Sequence, residues 1–139
     1  MLPPVWRDLV KNEVTVEAKP VELWTKVCDY IEAPLKLRIE AKGTWKITGD
    51  EECGPDGLRT HWPADSLLTS VPAGALIGMI GGSPAEKPGE KSTVFSVGSY
   101  LVLCPADTIR GALYLTMNDS VARFEEHSGA VTAKLQIAR

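Results

Sequence analysis

The residues most able to do chemistry in this sequence lie between Gly111 and Gly129, where an apolar segment leads into an Asn-Asp pair. Alternation from 112 to 118 predicts a strand that delivers Asn118 and Asp119 to its end. Ca2+ takes about six to eight oxygen ligands in a flexible shell. Taken alone, an aspartate at a strand end is more typical of an Asx turn than of a metal site. Further oxygen-bearing side chains follow at Ser120, Glu125, Glu126 and Ser128.

Other motifs that would indicate catalysis or nucleotide binding fail on spacing. The glycine-rich segment 81–92 departs from a Walker loop because six residues separate Gly82 from Gly89 and Glu90 follows directly. His61 and His127 are far apart and lack the local spacing of zinc ligands. No nucleophile has an identifiable base, so we expect no enzymatic activity. The acidic side chains of one long loop are predicted to be merely solvated: Asp50, Glu51, Glu52 and Asp56.

Composition restricts the class of protein further. A chain of 139 residues is the usual size of one domain. Its 15 basic and 18 acidic residues give a net charge of -3 without a basic run, so nucleic acid is not an expected partner. No apolar run is long enough for a membrane span, and the start lacks the features of a signal peptide. We therefore predict a cytoplasmic protein, or one released without a classical signal peptide.

Cysteine usage points the same way. The three cysteines are scattered and have no CxxC spacing, which argues against a disulfide framework and against a zinc knuckle. No activating partner lies near any of them in sequence, so they are predicted to be structural thiols.

Two segments alternate most clearly between apolar and polar residues, at 35–41 and 131–137. Such alternation is typical of antiparallel strands with one solvated face. Gly43 is expected to end the first of them. A stretch rich in Pro, Gly and charge at 83–92 predicts a polar hairpin loop or an insertion. Further strands are predicted at 14–17, 22–27, 44–47, 66–71, 76–80, 94–97, 100–103 and 112–118.

About eight or nine short strands, with turn signals between them and no long helix, predict an all-β, jelly-roll-type β-sandwich. Residues 1–13 lack a clear period and are predicted to form an N-terminal arm, in which a short helix at 6–11 is one option. Residues 14–139 are predicted to form the sandwich domain. The strand at 130–137 could pair with an edge of another chain if it were left uncovered, so self-association is an open expectation.

Several segments together resemble a known family. They are GPDG at 54–57, GALIGMIGG at 74–82, VGSYLVLCPADT at 97–108, GALYLTMND at 111–119 and HSG at 127–129. In order and spacing they are similar to the calcium-dependent galactophilic bacterial lectins of the LecA (PA-IL) type, over about residues 13–138. The most specific part is GxLxLxxND followed nine residues on by Ser-Gly. The resemblance implies a galactose-binding-like β-sandwich in which one Ca2+ bridges the protein and two vicinal sugar hydroxyls.

The resemblance also implies a set of metal ligands. Asp119 matches the bridging aspartate, and Arg123 and Ile47 would each offer a backbone carbonyl. Glu126 and His127 fall where the family uses two asparagines. A carboxylate at 126 still suits calcium, whereas the imidazole of His127 replaces an oxygen with a nitrogen that a hard cation does not favour.

The implied sugar contacts come from the metal loop and from a second loop. Asp119 and Glu126 would contact the sugar together with the metal, and His61 falls on a histidine that contacts the sugar in the family. Ala64 stands where the family has a glutamine, which removes a polar contact. Trp62 could present its face to the C–H side of a sugar, or could equally serve packing.

Two functions follow from these expectations. The first is a calcium-dependent carbohydrate-binding domain, specific for galactose-related sugars or glycoconjugates, in which sugar hydroxyls displace metal-bound water. The second is a non-enzymatic interaction or scaffold module that keeps the same fold with a degenerate metal and sugar site.

Overall fold

The computed structural model describes residues 5–82 and 93–138, and these form ten β-strands and one 3-10 helix. The predicted all-β sandwich of antiparallel strands is therefore confirmed. The stretch 83–92, predicted to be a polar loop or insertion, lies outside the described residues. The strands are β1 (Arg7–Asp8), β2 (Val14–Glu17), β3 (Thr25–Glu32), β4 (Lys36–Lys46), β5 (Glu52–Cys53), β6 (Leu76–Ile80), β7 (Thr93–Ser96), β8 (Tyr100–Leu103), β9 (Arg110–Met117) and β10 (Ser128–Ala138), and the 3-10 helix spans Val121–Glu126.

The strands form two antiparallel sheets. The larger sheet has the order β1-β10-β4-β5, with β2 also pairing with β10 and β8 with β4. The smaller sheet has the order β3-β9-β6-β7. Strand β10 is paired with β4 along its full length on one side and with β1 and β2 on the other. The condition for 130–137 to pair with another chain, an uncovered edge, is therefore not met, because both sides of the strand are already hydrogen-bonded. Self-association itself stays a prediction.

The core between the sheets follows from the alternation seen in the sequence. Alternate residues in 37–41 of β4 and in 131–135 of β10 are buried and pack in one cluster with the inner residues of β9. Each buried Leu, Ile, Val or Met side chain contributes about 1.5–3 kcal/mol on burial, so these rows supply much of the stability. The buried residues of the three strands include Leu37, Ile39, Ala41, Val131, Ala133, Leu135, Leu113, Leu115 and Met117.

The smaller sheet is covered on its outer face as well. All five residues of β6 are buried, and alternate ones belong to two different clusters. Leu76 and Ile80 pack into the main core, whereas Ile77 and Met79 pack in a second cluster with Trp24. Partly buried side chains from outside the sheet complete that cluster: Leu23, Leu67, Leu68 and Val71.

Several local expectations differ from the structure. Gly43 does not end its strand, because it adopts a positive φ of 109° and β4 continues through it to Lys46. The segment 66–71 forms no regular strand and makes only an isolated bridge between Ser66 and Ser120. The segment after Asp119, predicted to be a loop, contains the 3-10 helix.

The N-terminal segment pairs with the larger sheet. Where a short helix was one option, Arg7 and Asp8 form β1 against β10, and the amide of Leu9 donates to the carbonyl of Leu135 at 2.9 Å. The boundary between the arm 1–13 and the domain 14–139 stays a prediction. Within the described ranges no helix is both long enough and apolar enough to cross a membrane.

Candidate functional site

Asn118 fixes the end of β9 from within the protein. Its side chain is fully buried. The amide nitrogen donates to the carbonyls of Leu68 at 2.9 Å, Val71 at 3.1 Å and Pro72 at 3.2 Å, and the amide oxygen accepts from the Leu68 backbone at 2.9 Å. Asn118 therefore ties the segment 68–72 to the strand and determines where the next residue, Asp119, must lie.

Asp119 is also fully buried and is paired with His127. One carboxylate oxygen, Oδ1, accepts from the backbone amide of Ser120 at 2.8 Å. The other, Oδ2, lies 2.8 Å from Nε2 of His127, whose Nδ1 lies 3.0 Å from the carbonyl of Ala18. Both imidazole nitrogens thus face oxygen atoms, and both oxygens of Asp119 already have a partner.

Arg123, in the 3-10 helix, places its guanidinium among three carboxylates. Its Nε lies 3.8 Å from Oδ2 of Asp119 and 3.5 Å from Oε2 of Glu126, and its Nη2 lies 3.7 Å from Oε1 of Glu51. The side chain of Arg123 is 31% exposed. One cation therefore lies near two anions of its own turn region and one anion, Glu51, from a distant loop.

Glu51 connects this group to His61. The carboxylate of Glu51 lies 2.9 Å from Nε2 of His61 and accepts from the hydroxyl of Thr48 at 3.2 Å. The turn that presents Glu51 joins β4 to β5 and is closed by the Ile47 amide, which donates to the Glu51 carbonyl at 2.8 Å. We call the resulting group the polar cluster; it consists of Glu51, His61, Asp119, Arg123, Glu126 and His127.

The polar cluster unites most of the residues predicted to form the site. Asp119, Arg123, Glu126 and His127 lie together, and His61 joins them through Glu51. Sequence reasoning missed Glu51, which it assigned to a solvated loop. It also missed the guanidinium of Arg123, because only the backbone carbonyl of that residue was predicted to contribute. One local feature of the sequence points to Glu51. The hydroxyl of Thr48, three positions earlier, can donate a hydrogen bond to the Glu51 carboxylate within a turn.

Ile47 and Trp62 have other surroundings. Ile47 is fully buried, and the role predicted for its carbonyl stays a prediction. Trp62 is 55% exposed, and its indole N–H donates to the carbonyl of Arg59 at 2.7 Å. It lines a cleft of about 370 Å³ whose lining includes no residue of the polar cluster. The cleft and the cluster are connected along the chain, because Trp62 directly follows His61.

The donor set of the polar cluster does not fit a calcium ion as it is arranged. Both oxygens of Asp119 are hydrogen-bonded or paired, and the carboxylates of Glu51 and Glu126 point at Arg123. A hard cation needs several oxygens directed at one point, and it does not favour an imidazole there. Across 5–82 and 93–138, no group of three His, Cys, Asp or Glu side chains is arranged to hold a metal. Calcium binding stays a prediction from the sequence.

Comparison with known proteins supports the architecture. No family model matches the chain, and no curated protein matches it. Among solved structures eight chains match, including one described as "EclA N-terminal domain; PllA-like lectin". That match has a TM-score of 0.62 and 16% sequence identity, and it covers 91% of this chain and 95% of the other. The chain therefore has a lectin-like β-sandwich fold.

Proposed function

We propose that this chain is a non-enzymatic carbohydrate-binding domain and that the polar cluster, together with Trp62, contacts the saccharide. One observation carries the proposal: part-exposed donors and acceptors converge at one place on a lectin-like sandwich. Arg123 and His61 offer N–H groups beside the carboxylates of Glu51 and Glu126. Sugar hydroxyls both donate and accept, so adjacent cationic and anionic groups suit them.

The charges of the polar cluster favour neutral saccharides. Three carboxylates surround one guanidinium, so these four side chains together carry a net negative charge. An anionic sugar would be repelled, whereas a neutral sugar with adjacent hydroxyls could donate to a carboxylate and accept from Arg123. Preference for galactose-related sugars and dependence on Ca2+ remain predictions from the sequence resemblance.

A glycan array, followed by calorimetry with the best ligand, tests this function. We expect neutral glycans to bind and sialylated ones to bind less. Glu126→Gln and His61→Ala should each weaken binding about 10- to 150-fold, because one charged hydrogen bond is worth about 1.5–3 kcal/mol. Lys42→Ala is the matched control, because Lys42 lies on β4 and pairs with Glu13 at 3.6 Å. An array on which no glycan binds the folded protein would reject the proposal.

The scaffold function is supported by a different observation. Asp119, the residue predicted to bridge metal and sugar, is fully buried and bonded to His127. The central carboxylate of the site is thus used for contacts inside the protein. This is expected if the fold is retained for protein interaction and no longer binds metal and sugar. Binding of a protein partner that survives Glu126→Gln and His61→Ala, without any glycan response, would favour this function.

A further inference from the structure

Three carboxylates approach Arg123 at 3.5–3.8 Å, two from its own turn region and one, that of Glu51, from a distant loop. Glu51 lies in the turn between β4 and β5, Asp119 follows β9, and Glu126 ends the 3-10 helix. These distances exceed those of ordinary N–H···O hydrogen bonds. The guanidinium therefore acts on all three as a shared positive charge, not as a fork that binds one carboxylate through two hydrogen bonds.

The positive charge of Arg123 has a structural role because one of the three carboxylates near it is buried. Asp119 has no exposed surface, and a buried carboxylate is stable only when hydrogen bonds and opposite charge compensate its lost hydration. The Ser120 amide and His127 supply the contacts at hydrogen-bond distance. Arg123 supplies a positive charge that does not depend on pH, since its guanidinium stays protonated in proteins.

The backbone holds Arg123 in position independently of these carboxylates. Its amide donates to the carbonyl of Ser120 at 3.0 Å. The next residue, Phe124, is buried, and its ring centroid lies 4.5 Å from that of His127. The backbone hydrogen bond and the packing of Phe124 thus fix the turn that places the guanidinium in the cluster.

We propose that the Arg123 guanidinium is the resident cation of the polar cluster and takes the structural place of a divalent ion. It joins the turn at Glu51, the end of β9 and the 3-10 helix, so the loops keep their arrangement without calcium. This inference deepens the proposed carbohydrate function, because the part-exposed guanidinium would then be the cationic group that meets sugar hydroxyls. A saccharide bound here should stay bound in chelator.

Melting temperatures of three proteins, in millimolar Ca2+ and in chelator, test the proposal without any sugar. The wild type should melt at the same temperature in both. Arg123→Gln should melt several degrees lower in chelator, because three carboxylates then lack their cation, and added Ca2+ should recover much of this loss by binding the native state. Lys19→Gln is the control. It removes the same charge from a 2.9 Å pair with Glu125 of the same 3-10 helix, and it should show neither effect.

Each departure from this pattern overturns the proposal. A wild type that melts higher in Ca2+ would show that the site takes a metal despite Arg123. Arg123→Gln could prove as stable in chelator as Lys19→Gln, or it could be destabilised without any recovery in Ca2+. Either result would show that Arg123 only forms ordinary surface ion pairs. Should Arg123→Gln fail to fold in both conditions, Arg123→Lys decides the matter. It keeps the charge and should fold without calcium, whereas a calcium requirement in that variant would reject the proposal.

The outcome is separate from that of the carbohydrate proposal. Melting reports on the cation of the cluster whether or not a glycan binds. If the wild type melts at the same temperature in chelator and binds no glycan, the proposal for Arg123 is supported and the carbohydrate function is rejected. If a glycan binds but is lost in chelator, the carbohydrate function is supported and the proposal for Arg123 is rejected.

Discussion

At the scale of single residues, the hydrogen bonds of the Asn118 side chain give this residue a structural role in the fold. Its side chain satisfies the Leu68 amide and three carbonyls inside the protein. Buried polar groups left without partners cost about 1–3 kcal/mol, so we expect Asn118→Ala to lower the free energy of unfolding by about 3 kcal/mol. Urea denaturation measures this change. Asn12→Ala is the control, because Asn12 is exposed. Equal denaturation midpoints for the two variants would contradict the structural role.

The cysteines differ in reactivity for a physical reason. Burial raises the pKa of the Cys53 thiol to about 11, whereas Cys104 is exposed. Because a thiolate is the reactive species, Cys53 should stay protonated and inert at about pH 8 and should react only when the pH approaches its pKa or the protein unfolds. Burial also raises the pKa of Cys28. We expect a disulfide reagent at that pH to modify Cys104 first.

The variant Cys104→Ser provides the check on this order of reactivity. Under native conditions it should lose the fast phase of modification, and in urea it should show the two remaining thiols. A fast phase that persists in Cys104→Ser would mean that Cys53 or Cys28 is more accessible than the structure shows.

The candidate site was predictable where its residues are close in sequence. Asp119 and Glu126 are close in sequence, and a local pattern of oxygen-bearing side chains suggested that they cluster. Arg123 was named only through the family resemblance, for its backbone carbonyl, so the position of its guanidinium was not predicted. Glu51 was missed because its contact with Arg123 depends on how the two sheets place their loops. Trp62 adjoins His61 in sequence, yet it lines a different cleft. Adjacency along the chain thus did not determine which surface each side chain joins.

At the scale of elements, regular alternation predicted strands well and irregular pairing did not. The bounds predicted for β6 and β8, at 76–80 and 100–103, are confirmed. Strand β3 was predicted at 22–27 but spans Thr25–Glu32. Its pairing with β9 shifts register twice, between Lys26 and Cys28 and between Cys28 and Ile31. Such bulges break the period of two on which the prediction relied.

The apolar segment 66–71 shows a second limit of pattern reading. It packs Leu67, Leu68 and Val71 on the outer face of the smaller sheet, so its hydrophobicity suggested a strand. Its backbone is held instead by Asn118, which bonds the amide and carbonyl of Leu68. The pattern of apolar residues indicates which side chains are buried. It does not reveal that the backbone is hydrogen-bonded to a side chain and not to a neighbouring strand.

Strand order predicts where exchange of amide hydrogens should be slowest. Strand β10 pairs on both sides and contributes buried residues to the main core, so its amides should open only on global unfolding. Strand β7 pairs with β6 alone in the described residues and is only partly buried. Hydrogen exchange by mass spectrometry should give β10 and the facing part of β4 the highest protection. Equal protection of β7 and β10 would contradict this order.

At the scale of the whole molecule, the four tryptophans report on different regions. Trp24 and Trp45 are buried in separate clusters, and the indole N–H of Trp45 donates to the carbonyl of Gly74 at 2.8 Å. The ring of Trp6 is covered by the guanidinium of Arg38 at 4.3 Å. Trp62 is the most exposed of the four and directly follows His61 of the polar cluster in sequence. A ligand at this end of the sandwich should therefore affect the emission of Trp62 most.

We expect a bound saccharide to change tryptophan emission through Trp62. An indole stacked on a pyranose loses water from its face, which alters its fluorescence. Trp62→Phe keeps an aromatic face and should lose most of the change, whereas Trp6→Phe should retain it. A change that survives in Trp62→Phe would place the sugar elsewhere. The same titration in chelator distinguishes two mechanisms: a calcium-bridged site, as the sequence resemblance predicts, would lose the response, whereas a site organised by Arg123 would keep it.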